Sequence, residues 1–174
     1  PAEGLLLRGA HGPIELLEEA SAVDQELIRR CLDIIISGQR MDLQRFQDKD
    51  GTGIRSLSRY EEMDDYAYRV AGSVGEFWTE ICLEHAFEAS AELKEELMSS
   101  GVRFGKALQL INILRDIPED LEIGRCYIPT DDLEKIGLSP NDLLHSDSID
   151  VFRPLLDQYI CLLYTSDAAD DMQC

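Results

Sequence analysis

What this sequence lacks narrows it first. Basic residues are few: 16 Lys and Arg stand against 35 Asp and Glu, giving a net charge of −19 and a pI near 4.3. A chain so acidic has no basic face to displace counterions from a nucleic-acid backbone, which excludes that class of partner. No CxxC pair and no histidine at metal-ligand spacing occur, so zinc finds no ligand set. The cysteines at 31, 82, 126, 161 and 174 are scattered without pattern, as reduced thiols in a cytosolic setting would be. No apolar run approaches the roughly 20 residues that span a bilayer. No signal peptide, dinucleotide fingerprint or fixed-period repeat is visible. What is present is 174 residues, 44% hydrophobic, enough to bury one core.

The stretch Gly101 to Pro129, GVRFGKALQLINILRDIPEDLEIGRCYIP, is the most informative. Read as a helix, it is apolar almost all the way round: Val102, Phe104, Leu108, Leu110, Ile111, Ile113, Leu114 and Ile117. Such a helix is expected inside a protein. One stripe is polar. Gln109, Asn112, Asp116 and Asp120 are three, four and four residues apart, so at about 100° per residue they share one face. Amide and carboxylate groups cannot sit unpaired in a dry core, so the stripe is expected to line an internal cavity. Two carboxylates one turn apart repel each other. Oxygen ligands suit Mg²⁺, with Mn²⁺ as its substitute; Mg²⁺ takes one or two carboxylates and leaves other positions to water and phosphate. Arg115 and Arg125 flank the acids, and guanidinium forks match phosphate oxygens. The pattern points to a diphosphate-metal site. Against it stands the plain alternative that DxxED is a solvated acidic face. Pro118 removes a backbone hydrogen bond and crowds the Leu114 carbonyl, so a kink or helix end is expected between the two acids.

NILRDIPED, preceded by GKALQL and followed by GRCYIP, resembles the second aspartate-rich motif of the squalene/phytoene synthase family. YAYRVAGSVG, Tyr66 to Gly75, is similar to that family's Y-x-x-R-V-A-G-x-V-G helix. GQRMDL, Gly38 to Leu43, resembles its G-M-x-M-D-L segment, with Gln39 where the family usually has Met. The three occur in the right order between about residues 20 and 130.

The resemblance implies an all-α, isoprenoid-synthase-type helical bundle around a central cavity, incomplete at both ends, with residues 1–160 the central part of one domain. It implies head-to-head condensation of two allylic prenyl diphosphates, farnesyl or geranylgeranyl, through a cyclopropyl diphosphate. In that family Asn112, Asp116 and Asp120 would be metal ligands, with Arg115 and Arg125 on diphosphate. Gln109 and Tyr127 would be polar pocket contacts, Tyr66 a proton acceptor, and Val70, Val74 and Phe77 the wall of a prenyl pocket. Asp42 faces either the cavity or solvent, and the resemblance favours the cavity. NADPH enters only for a squalene-type product. The expected setting is cytoplasmic, with peripheral membrane association through the lipophilic product. The family's first aspartate-rich motif, counted back from Tyr66, falls before Pro1, so this piece alone is expected to be inactive. The alternatives are a non-catalytic relative acting as an assembly factor, and a class I terpene cyclase or chain-elongating prenyltransferase.

Along the chain, residues 1–13 read as loop, and a helix runs from Ile14 toward Phe46 with Gly38 relaxing or ending it. Residues 47–57, with Lys49 and Arg55, read as a loop with the chemistry of a flap over phosphate. Ser58 and Glu61 form an S-x-x-E helix start, and residues 59–90 one long helix. Its two glycines at 72 and 75 imply close approach by another helix or a ligand. Residues 141–160 form a last helix interrupted at Pro154. Residues 161–174 lack apolar rhythm and read as a non-native or disordered tail; their DxxxD, Asp167 and Asp171, has no apolar helix around it.

Overall fold

A serine opens each of the two longest helices. The computed structural model describes Gly4, Gly9 and residues 11–47 and 53–165. Helix α1 spans His11–Glu19. Ser21 Oγ accepts from the Asp24 amide at 3.1 Å and starts α2, Ala22–Arg45. Then come β1 (Arg55–Ser56), α3 (Tyr60–Ala67), a π-helical turn (Tyr68–Gly72) and α4 (Ser73–His85). Ser90 Oγ accepts from the Leu93 amide at 3.3 Å and starts α5, Ala91–Arg115. After α5 follow α6 (Ile117–Glu122), β2 (Arg125–Cys126) and α7 (Thr130–Lys135). Two 3₁₀ turns, Pro140–Leu144 and Ser146–Ser148, lead to α8, Ile149–Thr165.

The core gathers around residues 126–133. Ile128 and Leu133 are fully buried, and Phe46, Leu57, Met63, Leu110, Ile113, Leu121, Phe152, Leu155 and Tyr159 pack about them. A two-residue parallel pairing fixes this centre: Arg55 opposes Arg125 and Ser56 opposes Cys126. It is extended by Leu57 N–H to Cys126 O (3.1 Å), Thr130 N–H to Leu57 O (2.8 Å) and Ser56 Oγ to Ile128 O (2.7 Å). Tyr159 Oη donates to Asp132 at 2.7 Å, tying α8 to α7. Helices α4 and α5 approach backbone to backbone, since a Cβ on Gly75 would lie 1.9 Å from the Gly101 carbonyl oxygen. The glycine-marked approach is therefore helix to helix.

Several expectations change. The long helix read over 59–90 stops at His85, and Ala86–Ser90 separate it from α5. It also starts differently: Glu62, not Glu61, reaches back to the Ser58 amide (2.6 Å), and Tyr60 is its first residue. Residues 11–13, read as loop, already belong to α1, and a break at Ala20–Ser21 divides what read as one helix. Gly38 does not relax α2; it lies buried within it. Arg55 is pinned in β1 by its amide on Gly124 O (2.9 Å) instead of riding a mobile flap; Lys49 lies outside the described residues. The last helix opens only at Ile149 and runs through Pro154 to Thr165, so the boundary at 161 falls inside it. Asp167 and Asp171 lie outside the described residues. Cys31, Cys82 and Cys126 are free thiols, but Cys161 is disulfide-bonded, which corrects the reading of all five as reduced.

The expectation that α5 is covered all round is also corrected. Gly105, Leu110 and Ile113 are its buried residues, while Phe104, Leu108 and Ile111 are 58%, 46% and 46% exposed. Among the described residues α4, the π-helical turn, α3 and α8 pack against it. Phe104, Leu108 and Ile111 share a face that these elements leave open.

Candidate functional site

The chain turns back on itself around Asp116. This residue ends α5 (φ −93°, ψ 9°) and precedes α6, with Pro118 in the first turn of the new helix, where its missing N–H costs nothing. The expected break between the acids thus falls at the first of them. Helix α6 is short. Gly124, at φ 77°, sits just past its end in the left-handed conformation that glycine adopts freely. That turn reverses the chain into β2, and Arg125 and Tyr127 then pack with Asp120, Ile113, Ile117 and Leu121 around a gap too small to admit a water molecule.

At the floor of this region lies Asp42 on α2, 8% exposed. Tyr127 Oη donates to Asp42 Oδ1 at 2.7 Å, and Arg125 Nη1 donates to Oδ2 at 3.1 Å. Each oxygen of a buried carboxylate therefore has a partner from one strand-and-turn segment 83 and 85 residues away. Aromatic rings wall the pair. Tyr127 stacks on Tyr66 at 5.0 Å and 24°, and tilts against Phe46 at 5.0 Å and 58°; the Arg125 guanidinium lies 5.7 Å over the Phe46 ring. Phe46 stands one turn beyond Asp42, so α2 supplies both the acid and its aromatic wall.

The charges here are not at their ordinary values. Burial pushes the Asp120 carboxyl up, the Asp116 charge adds to this, and Arg125 opposes it. Asp116 is held below the usual carboxylate range by Arg115, which bonds it from Nε (2.7 Å) and Nη2 (2.9 Å). Burial raises the Tyr66 phenol, its hydrogen bond with Tyr127 opposes this, and Asp42 and Asp120 raise it further. Tyr127 is raised by burial and then by its bond to Asp42.

The other expected site residues are placed as follows. Gln109 and Asn112 are half-buried on α5, and Arg115 is exposed. Val70 lies in the π-helical turn, Val74 is 41% exposed on α4, and Phe77 is half-buried. Asn112, Asp116 and Asp120 are all half-buried, not turned fully to solvent. A groove of about 710 Å³ lies between α3, α4 and α5 along Tyr60, Met63, Ala67, Val102, Lys106 and Leu110. None of the expected acids lines it. Among the described residues no three His, Cys, Asp or Glu side chains converge as a ready metal site. Two carboxylates and an amide do match Mg²⁺, which takes one or two carboxylates from a protein. A cation beside Asp120 would also relieve the desolvated, mutually repelling charges of Asp116 and Asp120, once Asp116 leaves Arg115.

Asp120 supports a pH test. Its pKa is raised above the unfolded value of 3.8, so the stability it confers is present below that value and is lost as pH rises through the folded pKa. The charges facing it are Asp116, Arg125, Asp42 and Glu119. Asp120→Asn, neutral at all pH, is expected to melt above the unaltered protein at pH 7 and level with it near pH 3. An Asn variant that melts lower at pH 7 would contradict the burial of this charge.

Asp42 and Phe46 are the residues whose importance the sequence understated. The signal was MDLQRF, Met41 to Phe46, which puts an acid one helical turn before a phenylalanine at the end of an apolar helix.

The helical bundle is an isoprenoid-synthase fold. A squalene synthase, HpnC, from Alicyclobacillus acidocaldarius matches it with a TM-score of 0.60 at 22% identity, over 79% of this chain and 46% of that one. A dehydrosqualene synthase solved with a ligand matches with a TM-score of 0.57 at 24% identity, over 79% and 44%. In sequence, the squalene/phytoene synthase family matches residues 6–162, and the chain belongs to that family. The 15-cis-phytoene synthase of Synechocystis is 36% identical over 126 residues, 70% of this chain and 35% of the relative. A bifunctional lycopene cyclase/phytoene synthase of Gibberella fujikuroi is 37% identical over 137 residues, 76% of this chain and 23% of the relative. The chain thus spans about a third or less of these two curated relatives. Among the described residues no helix is long and apolar enough to cross a membrane.

Proposed function

We propose that this chain contributes the arginine, tyrosine and second-acid face of an enzyme that condenses two prenyl diphosphates head to head, of the phytoene type. The observation that carries the reading is the cluster in which Arg125 and Tyr127 both bond the buried Asp42 while Tyr127 stacks on Tyr66, with Asp120 packed beside them. The substrate class follows the relatives, several of which are phytoene synthases at 34–38% identity. Phytoene-type enzymes join two C20 units without reduction, so NADPH has no part.

In this reading Arg125 and Arg115 grip the diphosphate; Arg125, already oriented by Asp42, needs little reorganisation. Asn112, Asp116 and Asp120 would hold Mg²⁺, which when bound neutralises charge on the departing diphosphate. One allylic C–O bond breaks, and the resulting cation is attacked by the other chain's double bond. Val70, Val74 and Phe77 keep water from it, with Gln109 as a polar contact near the reacting ends. A C–H bond then gives up its electron pair to close the cyclopropane, and its proton passes to Tyr66. Burial keeps Tyr66 a neutral phenol and a poor base, so it takes that proton only as it passes its own to Tyr127, whose hydroxyl proton moves on to the Asp42 carboxylate it already donates to. The setting is cytoplasmic, with contact to a membrane surface through the lipophilic product.

The test is product analysis. The complete coding product is incubated with Mg²⁺ and either farnesyl or geranylgeranyl diphosphate, with and without NADPH. Phytoene from the C20 substrate, indifferent to NADPH, is expected. A squalene-type product that requires NADPH would overturn the chain-length assignment. A cyclised single-substrate product, a chain-elongated diphosphate, or no consumption at all would overturn the reaction class.

A further inference from the structure

A π-helical turn is rare and turns up often at functional sites. Here it separates Tyr66 from Val74. The Ser73 amide donates back to the Tyr68 carbonyl, five residues earlier, and Ser73 Oγ donates to the Arg69 carbonyl at 2.9 Å. In an uninterrupted α-helix, at about 100° per residue, Tyr66 and Val74 would diverge by roughly 80°. One residue inserted as a π-turn adds length with almost no net rotation, which brings the two to within about 20° of a common face. Val70 lies between them on the turn itself.

Close packing holds the turn from two sides. On α2, a Cβ at Gly38 would lie 2.8 Å from Arg69 Cβ and 3.1 Å from Val70 Cγ1. On α5, a Cβ at Gly105 would lie 2.2 Å from the Ala71 carbonyl oxygen and 3.0 Å from Gly72 Cα. Arg69 adds a tether, with Nε on both Asp65 oxygens at 3.0 Å and Nη1 on Ser37 Oγ at 2.9 Å. A side chain at 105 must push against backbone, and the backbone it meets is the π-turn.

We infer that Gly38 and Gly105 are positioning residues for Tyr66. By admitting α2 and α5 against the π-turn, they fix the alignment that stacks Tyr66 on Tyr127 and sets it on the face of Val70 and Val74. The inference rests on the reading of Tyr66 as the proton acceptor.

Gly105→Ala and Ser73→Ala are compared in the complete coding product, with Gly12→Ala as control because a Cβ there meets nothing within 4 Å. Kinetics are read alongside ¹⁹F NMR of the 3-fluorotyrosine protein. The Tyr66 resonance is assigned by its loss in Tyr66→Phe, and Tyr159, against Asp132, is the internal reference. Gly105→Ala is expected to lower kcat about 100-fold, the usual effect of a displacement near 1 Å. KM for the prenyl diphosphate should stay within about 3-fold, because Arg125 is not moved. The Tyr66 resonance shifts and that of Tyr159 does not. If Gly105→Ala fails to fold, Ser73→Ala, which removes one hydroxyl from the Arg69 carbonyl, shows the same pair of changes at about 10-fold in kcat. An unmoved Tyr66 resonance with unchanged kcat in the folded variant overturns the inference, as does an equal response to Gly12→Ala. If the unaltered protein turns over no prenyl diphosphate, the functional reading fails. The resonance arm then decides alone: a shift confined to Tyr66 upholds the positioning role, and no shift overturns it.

Discussion

Asp116→Ala in the complete coding product is expected to lower Mg²⁺-dependent turnover of prenyl diphosphate by about 10²–10³-fold, the cost typical of removing one preorganised group that stabilises developing charge. The expected loss is chemical, not structural. Asp116 is 41% exposed and its partner Arg115 is 65% exposed, so folding gains little from the pair and the melting temperature should hardly move. The substitution also frees Arg115, which raises the net positive charge beside the substrate. A simple arginine–phosphate site would then bind tighter and work as well or better. The two accounts predict opposite signs. Asp116→Asn separates charge from ligation: it keeps one oxygen for a cation and should need a higher Mg²⁺ concentration for half-maximal rate. Full activity in Asp116→Ala would end the assignment of this residue as a ligand.

Asp42→Ala is expected to act on stability as well as rate. The carboxylate is buried, and both its oxygens are taken by Tyr127 and Arg125. Removing it leaves a guanidinium and a phenol without their acceptor in a partly dry place, at a cost of about 3 kcal/mol. Denaturant unfolding should show this as a lowered midpoint with the slope unchanged. Asp42→Asn keeps an oxygen for Tyr127 and should lose less. In turnover, both variants release Arg125 from its orientation, so KM for the diphosphate should rise more than kcat falls. If Asp42→Ala unfolds at the same midpoint as the unaltered protein, the cluster contributes nothing to the fold and its partners must have found water.

How much of this was legible in the sequence depends on what each feature needs in order to form. The helices were readable as helices because their apolar spacing is local, but the breaks before the caps at Ser21 and Ser90 were not read. The break at Asp116 was readable because Pro118 carries its own steric signal. The glycine pair at 72 and 75 announced a close approach, and Gly75 against Gly101 provides it. The π-turn that ends at Gly72 was not readable: its i to i+5 bonds suit the same residues as an α-helix, and the packing that holds it comes from Gly38 and Gly105 elsewhere in the chain. The β1–β2 pairing, two residues long, is below any pattern. Asp42 was ambiguous because an acid near the end of an amphipathic helix is usually solvated, and its partner Arg125 is 83 residues away. The apolar circumference of α5 was read correctly as composition. It was misread as burial, because composition does not say what lies against Phe104, Leu108 and Ile111.

The central claim is that Asp120 and Arg125 hold a diphosphate group through magnesium beside the Tyr66–Tyr127 stack. Calorimetric titration of inorganic pyrophosphate into the complete coding product tests it most directly. The account predicts binding that requires Mg²⁺, is lost in Asp120→Ala, and weakens in Arg125→Ala. Pyrophosphate binding of equal strength without Mg²⁺, or binding that survives in both variants, would contradict it.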